Sequence, residues 1–431
     1  MTPLVQVIGF GPATLGLPLA ADRMGELSSL ATHGMTFVDR AFGPGVLRTS
    51  RFPFLIESNS PARDFVAGVD PAGRFGEVLD RPAGRKLVEQ GERQVPLQHV
   101  GEYLADLADE ITGWLDGTAG GISYGREVRR VRRNADGTFT SLCTAGRPVL
   151  RSHAVVLATG ATEDTARHGV PGDRLVPSAR LLAGDLDQVG HAVRAGRPVV
   201  VVGGSHSGFA AVGLMLARYG GAVRPGQITV VHREIALSFP GVAELAAAGP
   251  LAGTPPMKRP VVCRETGAVN RFSGLRGAAR QLCLAVLARA EARVRLCPAG
   301  TAEARRAIAG AAVVVHSSGY RGTAPEMVEA DGTPVPLERE HGCITVGEAC
   351  RVLGPKGPLA GVYGLGIGFA RRDAGSERRV GINVFHGQDA EDIVTSLLTR
   401  ASTVRPATGP ATAPAAPPTT RKGLRHGQSD R

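Results

Sequence analysis

The chain has 431 residues, 43% of them apolar, which is enough for a core divided among two or three domains. Its formal net charge is +11, but lysine occurs only four times and arginine supplies the other 46 of the 50 basic residues. Aromatic residues make up only 4%, which argues against a stacking platform for single strands, and we expect no nucleic-acid partner.

The N-terminus is predicted to be a strand, a glycine turn and a helix rather than an export signal. The apolar stretch contains glycine and proline, and its first basic residue is Arg23, whereas a signal peptide begins with basic residues. No apolar run reaches the roughly 20 residues of a membrane span. The six cysteines form no C-x-x-C pair, so we expect reduced thiols and no metal site in a cytoplasmic protein without a membrane partner.

Residues 4–39 predict a βαβ unit that binds a dinucleotide. Gly9 permits a tight turn after the first strand, and Gly11 lets the backbone approach a pyrophosphate at the start of a helix predicted over 13–30. The second strand, 35–38, ends at an acid that can accept ribose hydroxyl groups. The residues assigned to this site are Gly9, Gly11, Pro12, Ala13, Asp39 and Arg40.

A second unit of the same kind is predicted over 190–310. A valine strand at 199–202 is followed by a glycine-rich turn, a helix at 209–219 and a strand at 228–231. A basic pair follows that last strand in place of an acid, which suits a 2′-phosphate and favours NADP over NAD. The residues assigned to this site are Gly203, Gly204, Ser205, Ser207, Gly208, His232 and Arg233. The turn is not a hydrolase nucleophile elbow, because His206 occupies the position that the serine needs.

Two buried strands, one within 153–160 and one within 312–320, end in small residues on either side of the second unit. Glycine at a strand end lets a ligand pass close to the backbone. We interpret Thr159, Gly160 and Gly319 as hinges where the chain leaves and re-enters a first domain. The predicted division is 1–165 and 311–400 for the first domain, 190–310 for an inserted domain with a loop-rich insertion at 236–280, and 401–431 for a disordered tail.

Four motifs together resemble the flavoproteins that bind two dinucleotides. They are the glycine–proline turn at 9–12, the Ala-Thr-Gly of 158–160, the Gly-Gly-Ser-His-Ser-Gly of 203–208 and the Ser-Gly-Tyr of 318–320. Within that class the chain most resembles the flavin-dependent N-hydroxylating monooxygenases of the ornithine and lysine type, over roughly residues 4–400. The resemblance implies an α/β fold, with a split Rossmann-like FAD domain and an inserted, smaller Rossmann-like NADP domain.

Three further segments are candidates for the flavin and substrate sites. We predict that the irregular stretch 48–64 lines the flavin ring, with an ordinary packing loop as the alternative, and that a helix at 100–111 packs nearby or forms core. In the insertion, Asn270, Arg271 and Arg276 are candidates to hold a substrate carboxylate, or form a solvated loop. After a glycine-rich strand at 362–369, Asn383 is a candidate contact to the flavin pyrimidine edge, before a helix at 389–398.

The resemblance implies an NADPH-dependent FAD monooxygenase that forms a C4a-peroxyflavin from O2 and hydroxylates a small polar, amine-bearing substrate. In such enzymes the cofactor carries out the chemistry. This agrees with the lack of a recognisable carboxylate pair or nucleophile triad in the sequence, and we predict no catalytic side chain. Two alternatives stay open: an NADPH-dependent flavin reductase that serves another acceptor, and a non-catalytic nucleotide-binding regulator. The sequence also leaves a homo-oligomer open.

Overall fold

A computed structural model describes residues 2–42, 57–165, 170–248, 259–264, 266–371, 377 and 379–403. These residues form two largely parallel sheets flanked by helices, together with two smaller antiparallel or mixed sheets. The predicted α/β fold with two Rossmann-like units is therefore confirmed. No helix in the described ranges is long and apolar enough to cross a membrane.

The larger sheet contains the predicted first strand, Val5–Ile8, between two parallel neighbours. That strand lies parallel to Met35–Val38 on one side and to Ala154–Leu157 on the other. All four residues of Val5–Ile8 and of Ala154–Leu157 are buried, as expected for parallel strands covered on both faces. In order across the sheet the strands are Arg339–Glu340, Cys343–Val346, Arg351–Gly354, Gly357–Gly364, Ala154–Leu157, Val5–Ile8, Met35–Val38 and Gly121–Ser123, with Phe369–Arg371 beside Cys343–Val346.

The prediction of one continuous helix over 13–30 is wrong, because this segment contains three separate helices. A 3-10 helix, Pro12–Leu15, leads into the α-helix Gly16–Arg23, and a second α-helix covers Leu27–His33. Gly25 lies between the two α-helices with φ +70°, a left-handed conformation that interrupts helical hydrogen bonding.

The second sheet contains the valine strand Val199–Val202 with the predicted bounds. In order its strands are Val294–Pro298, Ile228–His232, Val199–Val202, Val313–His316 and Leu175–Pro177, and all of them are parallel. The sheet therefore extends past the predicted span 190–310 at both ends. Because Val313–His316 pairs directly with Val199–Val202, the chain returns to the first sheet later than predicted.

Two smaller sheets lie between and beside these units. Ala161–Glu163 pairs antiparallel with Tyr320–Gly322, which joins the two crossover segments. The other small sheet has the strands Glu326–Val328, Arg130–Arg133, Phe139–Leu142 and Pro148–Ser152.

The remaining helices cover the sheets and fill the connections. The α-helices are Ala62–Val66, Pro82–Gln90, Leu97–Leu115, Ser178–Leu182, Asp187–Arg194, His206–Tyr219, Val242–Ala247, Gly277–Leu287, Ala302–Gly310, Ile382–His386 and Gln388–Thr403, and the 3-10 helices are Gly76–Asp80, Gly172–Arg174 and Glu348–Cys350. The helix predicted at 100–111 is thus longer, and its buried face includes Tyr103 and Leu107.

The structure refines the predictions made for the C-terminal region and for the insertion. The strand predicted at 362–369 ends at Gly364, and a turn separates it from Phe369–Arg371. The predicted tail starts too early, because 401–403 continue the helix Gln388–Thr403; the rest of that tail, 404–431, lies outside the described residues. Within the insertion 236–280, predicted to be loop-rich, the described residues include the short helix Val242–Ala247.

Candidate functional site

A cleft of about 590 Å³ opens where the first sheet's parallel strands end. Ligands of open α/β sheets bind at this carboxyl edge. Every residue predicted for the first nucleotide turn and its acid lines the cleft, as do two of the predicted hinge residues. They are Gly9, Gly11, Pro12, Ala13, Asp39, Arg40, Thr159 and Gly160.

The two glycines of the first turn have different roles. Gly9 has φ +108°, and a β-carbon there would collide with the carbonyl oxygen of Ala158 in the neighbouring strand. Gly11 is extended, with φ −116° and ψ −178°, and a β-carbon would meet no atom within 4 Å. Gly9 is thus required by the fold itself, whereas Gly11 leaves open space in the cleft. This is the cradle that a pyrophosphate needs for close approach to the backbone.

Asp39 holds the turn from the end of the second strand. Its carboxylate accepts the N–H of Phe10 at 2.6 Å through Oδ2 and the N–H of Ala41 at 2.7 Å through Oδ1. A carboxylate has about four lone-pair sites, so two of them remain for ribose hydroxyl groups. Asp39 therefore both braces the turn and can read a nucleotide ribose, and the residues present fit FAD.

Apolar side chains form the other walls of the cleft. Phe10, Leu365, Ile367, Ile382 and Phe385 all line it. The last two come from the short helix Ile382–His386, where they lie on one face because they are three residues apart. Asn383 is not among the residues that line the cleft, so a contact between its side chain and the flavin stays a prediction, and this helix presents apolar residues to the cleft.

The second glycine turn is built as tightly as the first. Gly203 has φ +133°, and a β-carbon there or on Gly208 would collide with backbone, of Ser317 and of Gly203 respectively. The Ser205 hydroxyl donates to the Ser317 carbonyl at 3.3 Å. The 14-residue helix His206–Tyr219 begins directly after Ser205, so its free N–H groups face the turn.

Gly204 and the basic pair at the end of Ile228–His232 are in contact. A β-carbon on Gly204 would lie 2.8 Å from the β-carbon of His232, whose side chain is 1% exposed. Burial lowers the pKa of His232, so its imidazole is neutral at neutral pH. This corrects the prediction of two cations for a 2′-phosphate: Arg233 is exposed, whereas His232 is a packing residue beneath the turn.

The hinge segments connect the cleft to the second turn. The Thr159 hydroxyl donates to the Thr323 carbonyl, and the Thr323 hydroxyl donates back to the Thr159 carbonyl at 3.0 Å. Gly319, with φ +106°, lies between the strands Val313–His316 and Tyr320–Gly322. Burial raises the pKa of Tyr320, and its phenol shares a hydrogen bond with the side chain of Ser207 in the second turn.

The insertion uses Asn270 for its own structure. Asn270 is 3% exposed with φ +48°; its amide Nδ2 donates to the Leu237 carbonyl at 2.9 Å and its Oδ1 accepts the Val261 N–H at 3.0 Å. The prediction that Asn270 binds substrate is therefore wrong, because its amide braces the loop.

The two arginines of the insertion make different contacts. Arg276 donates to the carbonyl oxygens of Asn59, at 2.8 Å, and of Arg271. Arg271 lies over the Phe272 ring, 5.0 Å from its centroid. Arg276 thus fastens the insertion to the segment after residue 56, and a carboxylate contact for either arginine stays a prediction.

The predicted flavin wall, 48–64, is described only from residue 57 onward. Glu57 accepts the N–H of Ala278 at 3.0 Å, at the start of the helix Gly277–Leu287. His206, at the start of the second nucleotide helix, has its pKa lowered by burial and hydrogen-bonds the Glu57 backbone. This segment is therefore attached to the second unit at two points.

Sequence reasoning missed several residues around the cleft. Its lining also includes Arg126–Arg129 and Thr323–Pro325, which lie in separate parts of the chain. A basic run before a strand and a short connection after a hinge carry no specific sequence signal. Among the described residues, no group of His, Cys, Asp and Glu could hold a metal ion.

Comparison with known proteins agrees with this geometry. Residues 6–162 match a family described as FAD-NAD(P)-binding. A Streptomyces rubellomurinus protein named CMP-5'-(3-aminopropyl)phosphonate hydroxylase is 28% identical over 406 residues, covering 86% of this chain and 90% of that protein.

Solved structures with the same fold include an ornithine N-hydroxylase and a cadaverine monooxygenase. Kutzneria sp. 744 ornithine N-hydroxylase superposes with a TM-score of 0.58 at 17% identity, over 93% of this chain and 100% of that one. The cadaverine monooxygenase DfoA of Erwinia amylovora gives 0.55 at 14% identity, over 98% and 100%. The resemblance predicted from the motifs is thus confirmed, and the chain has the FAD/NAD(P)-binding fold of these structures.

Proposed function

We propose that this chain is an NADPH-dependent FAD monooxygenase that hydroxylates the primary amine of a short aminoalkyl phosphonate, free or as its nucleotidyl ester. The observation that carries the proposal is the connection between its two nucleotide turns. The strand Ala161–Glu163 follows Thr159 and Gly160, which line the cleft, and its partner strand Tyr320–Gly322 leads into Thr323, which also lines it. Tyr320 in turn hydrogen-bonds Ser207 of the second turn. This connection supports two neighbouring dinucleotide sites, as hydride transfer between two cofactors requires.

Bound FAD would accept a hydride from NADPH and activate O2. The protein's own contribution is binding and shielding. The backbone at Gly9–Gly11 and at Gly203–Gly208 receives the two pyrophosphates, and Arg233 supplies the exposed positive charge for a 2′-phosphate. Phe10, Leu365 and Phe385 give the cleft apolar walls that exclude water from the flavin.

The substrate class rests on the relatives. The Streptomyces protein is named for a primary amine joined by a short chain to a phosphonate, and the two solved enzymes are named for ornithine and cadaverine. A terminal primary amine is common to all three. We choose the aminoalkyl phosphonate because that relative is aligned over most of both chains at the highest identity of the three.

The test is a substrate panel under air with the FAD-loaded protein and NADPH. The panel contains 3-aminopropylphosphonate, its CMP ester, ornithine and cadaverine, and hydroxylated product and hydrogen peroxide are both measured. We expect a phosphonate amine to raise NADPH oxidation and to give hydroxylamine product in proportion. Rapid NADPH oxidation that yields only peroxide with every amine, but reduces an added quinone or protein acceptor, would instead support a flavin reductase.

A further inference from the structure

His386 is a buried polar residue that the proposed chemistry does not use. It ends the short helix Ile382–His386 and is 0% exposed. Its imidazole Nε2 lies 2.7 Å from the carbonyl oxygen of Pro12, a residue that lines the cleft. A carbonyl oxygen only accepts, so Nε2 carries the proton and Nδ1 is the unprotonated nitrogen.

The surroundings of the imidazole allow one arrangement. A β-carbon on Gly68 would lie 3.3 Å from Nδ1 and 2.6 Å from the β-carbon of His386, and one on Gly16 would lie 3.0 Å from the ring Cδ2. No donor among the described residues reaches Nδ1. Two glycines therefore make room for the ring, and within the described ranges its polar contact is with Pro12.

Arg23 is a charged group that contacts the backbone of His386 and acts on its imidazole. Its guanidinium donates to the carbonyl oxygens of Gly68 and, at 2.7 Å, of His386, and it pairs with Glu391 at 2.8 Å. Burial and the Arg23 charge lower the pKa of His386 to about 4. The imidazole is therefore neutral under working conditions, with its only proton on the nitrogen that faces Pro12.

The hydrogen bond between His386 and Pro12 joins two segments that line the cleft. Pro12 starts the 3-10 helix behind the pyrophosphate turn, while Ile382 and Phe385, on the helix that His386 ends, form an apolar wall. We propose that His386 is a positioning residue for FAD, whose Nε2–H bond to Pro12 fixes the apolar wall relative to the pyrophosphate turn. This role for His386 rests on the proposed function in one respect, which is that the cofactor in the cleft is FAD.

The test measures FAD affinity and the visible spectrum of bound flavin in the absence of NADPH and substrate. His386→Phe keeps the ring volume and removes the donor, whereas His386→Gln keeps an amide donor. A neutral hydrogen bond contributes about 0.5–1.5 kcal/mol, so we expect His386→Phe to weaken FAD binding about twofold to tenfold and to shift the flavin spectrum. We expect His386→Gln to restore much of both.

Val384→Ala is the matched control, because Val384 is buried in the same helix and is not among the residues that line the cleft. It should lower thermal stability without a change in the flavin spectrum. If His386→Phe binds FAD no more weakly than Val384→Ala and leaves the spectrum unchanged, the positioning role is overturned.

A measurement on the unmodified protein covers the case in which His386→Phe does not fold. Nitrogen NMR of histidine-labelled apo protein, with the resonance assigned from His386→Gln, reports which ring nitrogen carries the proton. We expect the Nε2–H tautomer and a shift of its resonance on addition of FAD. The Nδ1–H tautomer, or a resonance that FAD leaves unchanged, overturns the proposal. Because no turnover is measured, either result is independent of whether the chain is a monooxygenase.

Discussion

Gly11→Ala separates cofactor binding from folding. Gly11 is extended, which any residue adopts, and a β-carbon there meets no protein atom within 4 Å, so we expect the apo protein to unfold at the wild-type temperature. The same methyl group enters the cleft where a pyrophosphate approaches the backbone. A hydrogen bond to a charged group is worth about 1.5–3 kcal/mol. Loss of one such bond weakens FAD binding about tenfold to hundredfold.

Gly9→Ala is the contrasting variant. Its φ of +108° and the collision with the Ala158 carbonyl strain the fold itself, and a strained backbone residue costs about 1–3 kcal/mol. The assay is flavin fluorescence titration beside thermal unfolding of both apo variants. We expect Gly11→Ala to lose affinity at unchanged stability and Gly9→Ala to lose stability. If Gly11→Ala binds FAD like the wild type, the assignment of the cradle is refuted.

Three further predictions follow from the same contacts. Burial lowers the pKa of His386 from the ordinary 6.5 to about 4, so the unfolded chain takes up the proton first. The free energy of unfolding therefore falls by about 3 kcal/mol as the pH drops from 6.5 to about 4. Denaturant titrations of His386→Gln should show a flatter pH dependence, and an unchanged one would contradict the assignment. Arg233→Ala should raise the KM for NADPH about tenfold, as expected for loss of one charged contact. The KM for NADH should not change. An equal rise in both KM values would exclude a 2′-phosphate contact. Asn270→Ala leaves the Leu237 carbonyl and the Val261 N–H without their partner. We expect the free energy of unfolding to fall by about 1–3 kcal/mol with FAD affinity unchanged. A loss of FAD affinity at wild-type stability would contradict the structural role.

The strands were predictable because their pattern is local. Val199–Val202 has the predicted bounds, since four valines stand between a proline and a glycine and are buried on both faces. Gly9 and Gly203 were identifiable for a similar reason: each follows such a strand, and each has the positive φ that the turn requires. Local sequence also contained Gly25, but its interruption of the first helix was overlooked.

The contacts made by side chains across the fold could not be predicted in this way. His386 and Pro12 are separated by 374 residues, and no pattern around either one indicates the other. His232 illustrates the same limit, because the sequence predicts a phosphate contact for a basic residue at this strand end, whereas the structure buries it under Gly204. For Asn270, the amide that suggested a ligand contact is occupied by its own loop.

The most direct test of the proposed activity traces the oxygen atom. The FAD-loaded protein is supplied with NADPH, the CMP ester of 3-aminopropylphosphonate and isotopically labelled dioxygen, and the product is analysed by mass spectrometry. We predict one labelled oxygen on the amine nitrogen for each NADPH consumed. Unmodified amine, with all of the label recovered in hydrogen peroxide or water, would contradict the proposed monooxygenase activity toward this substrate.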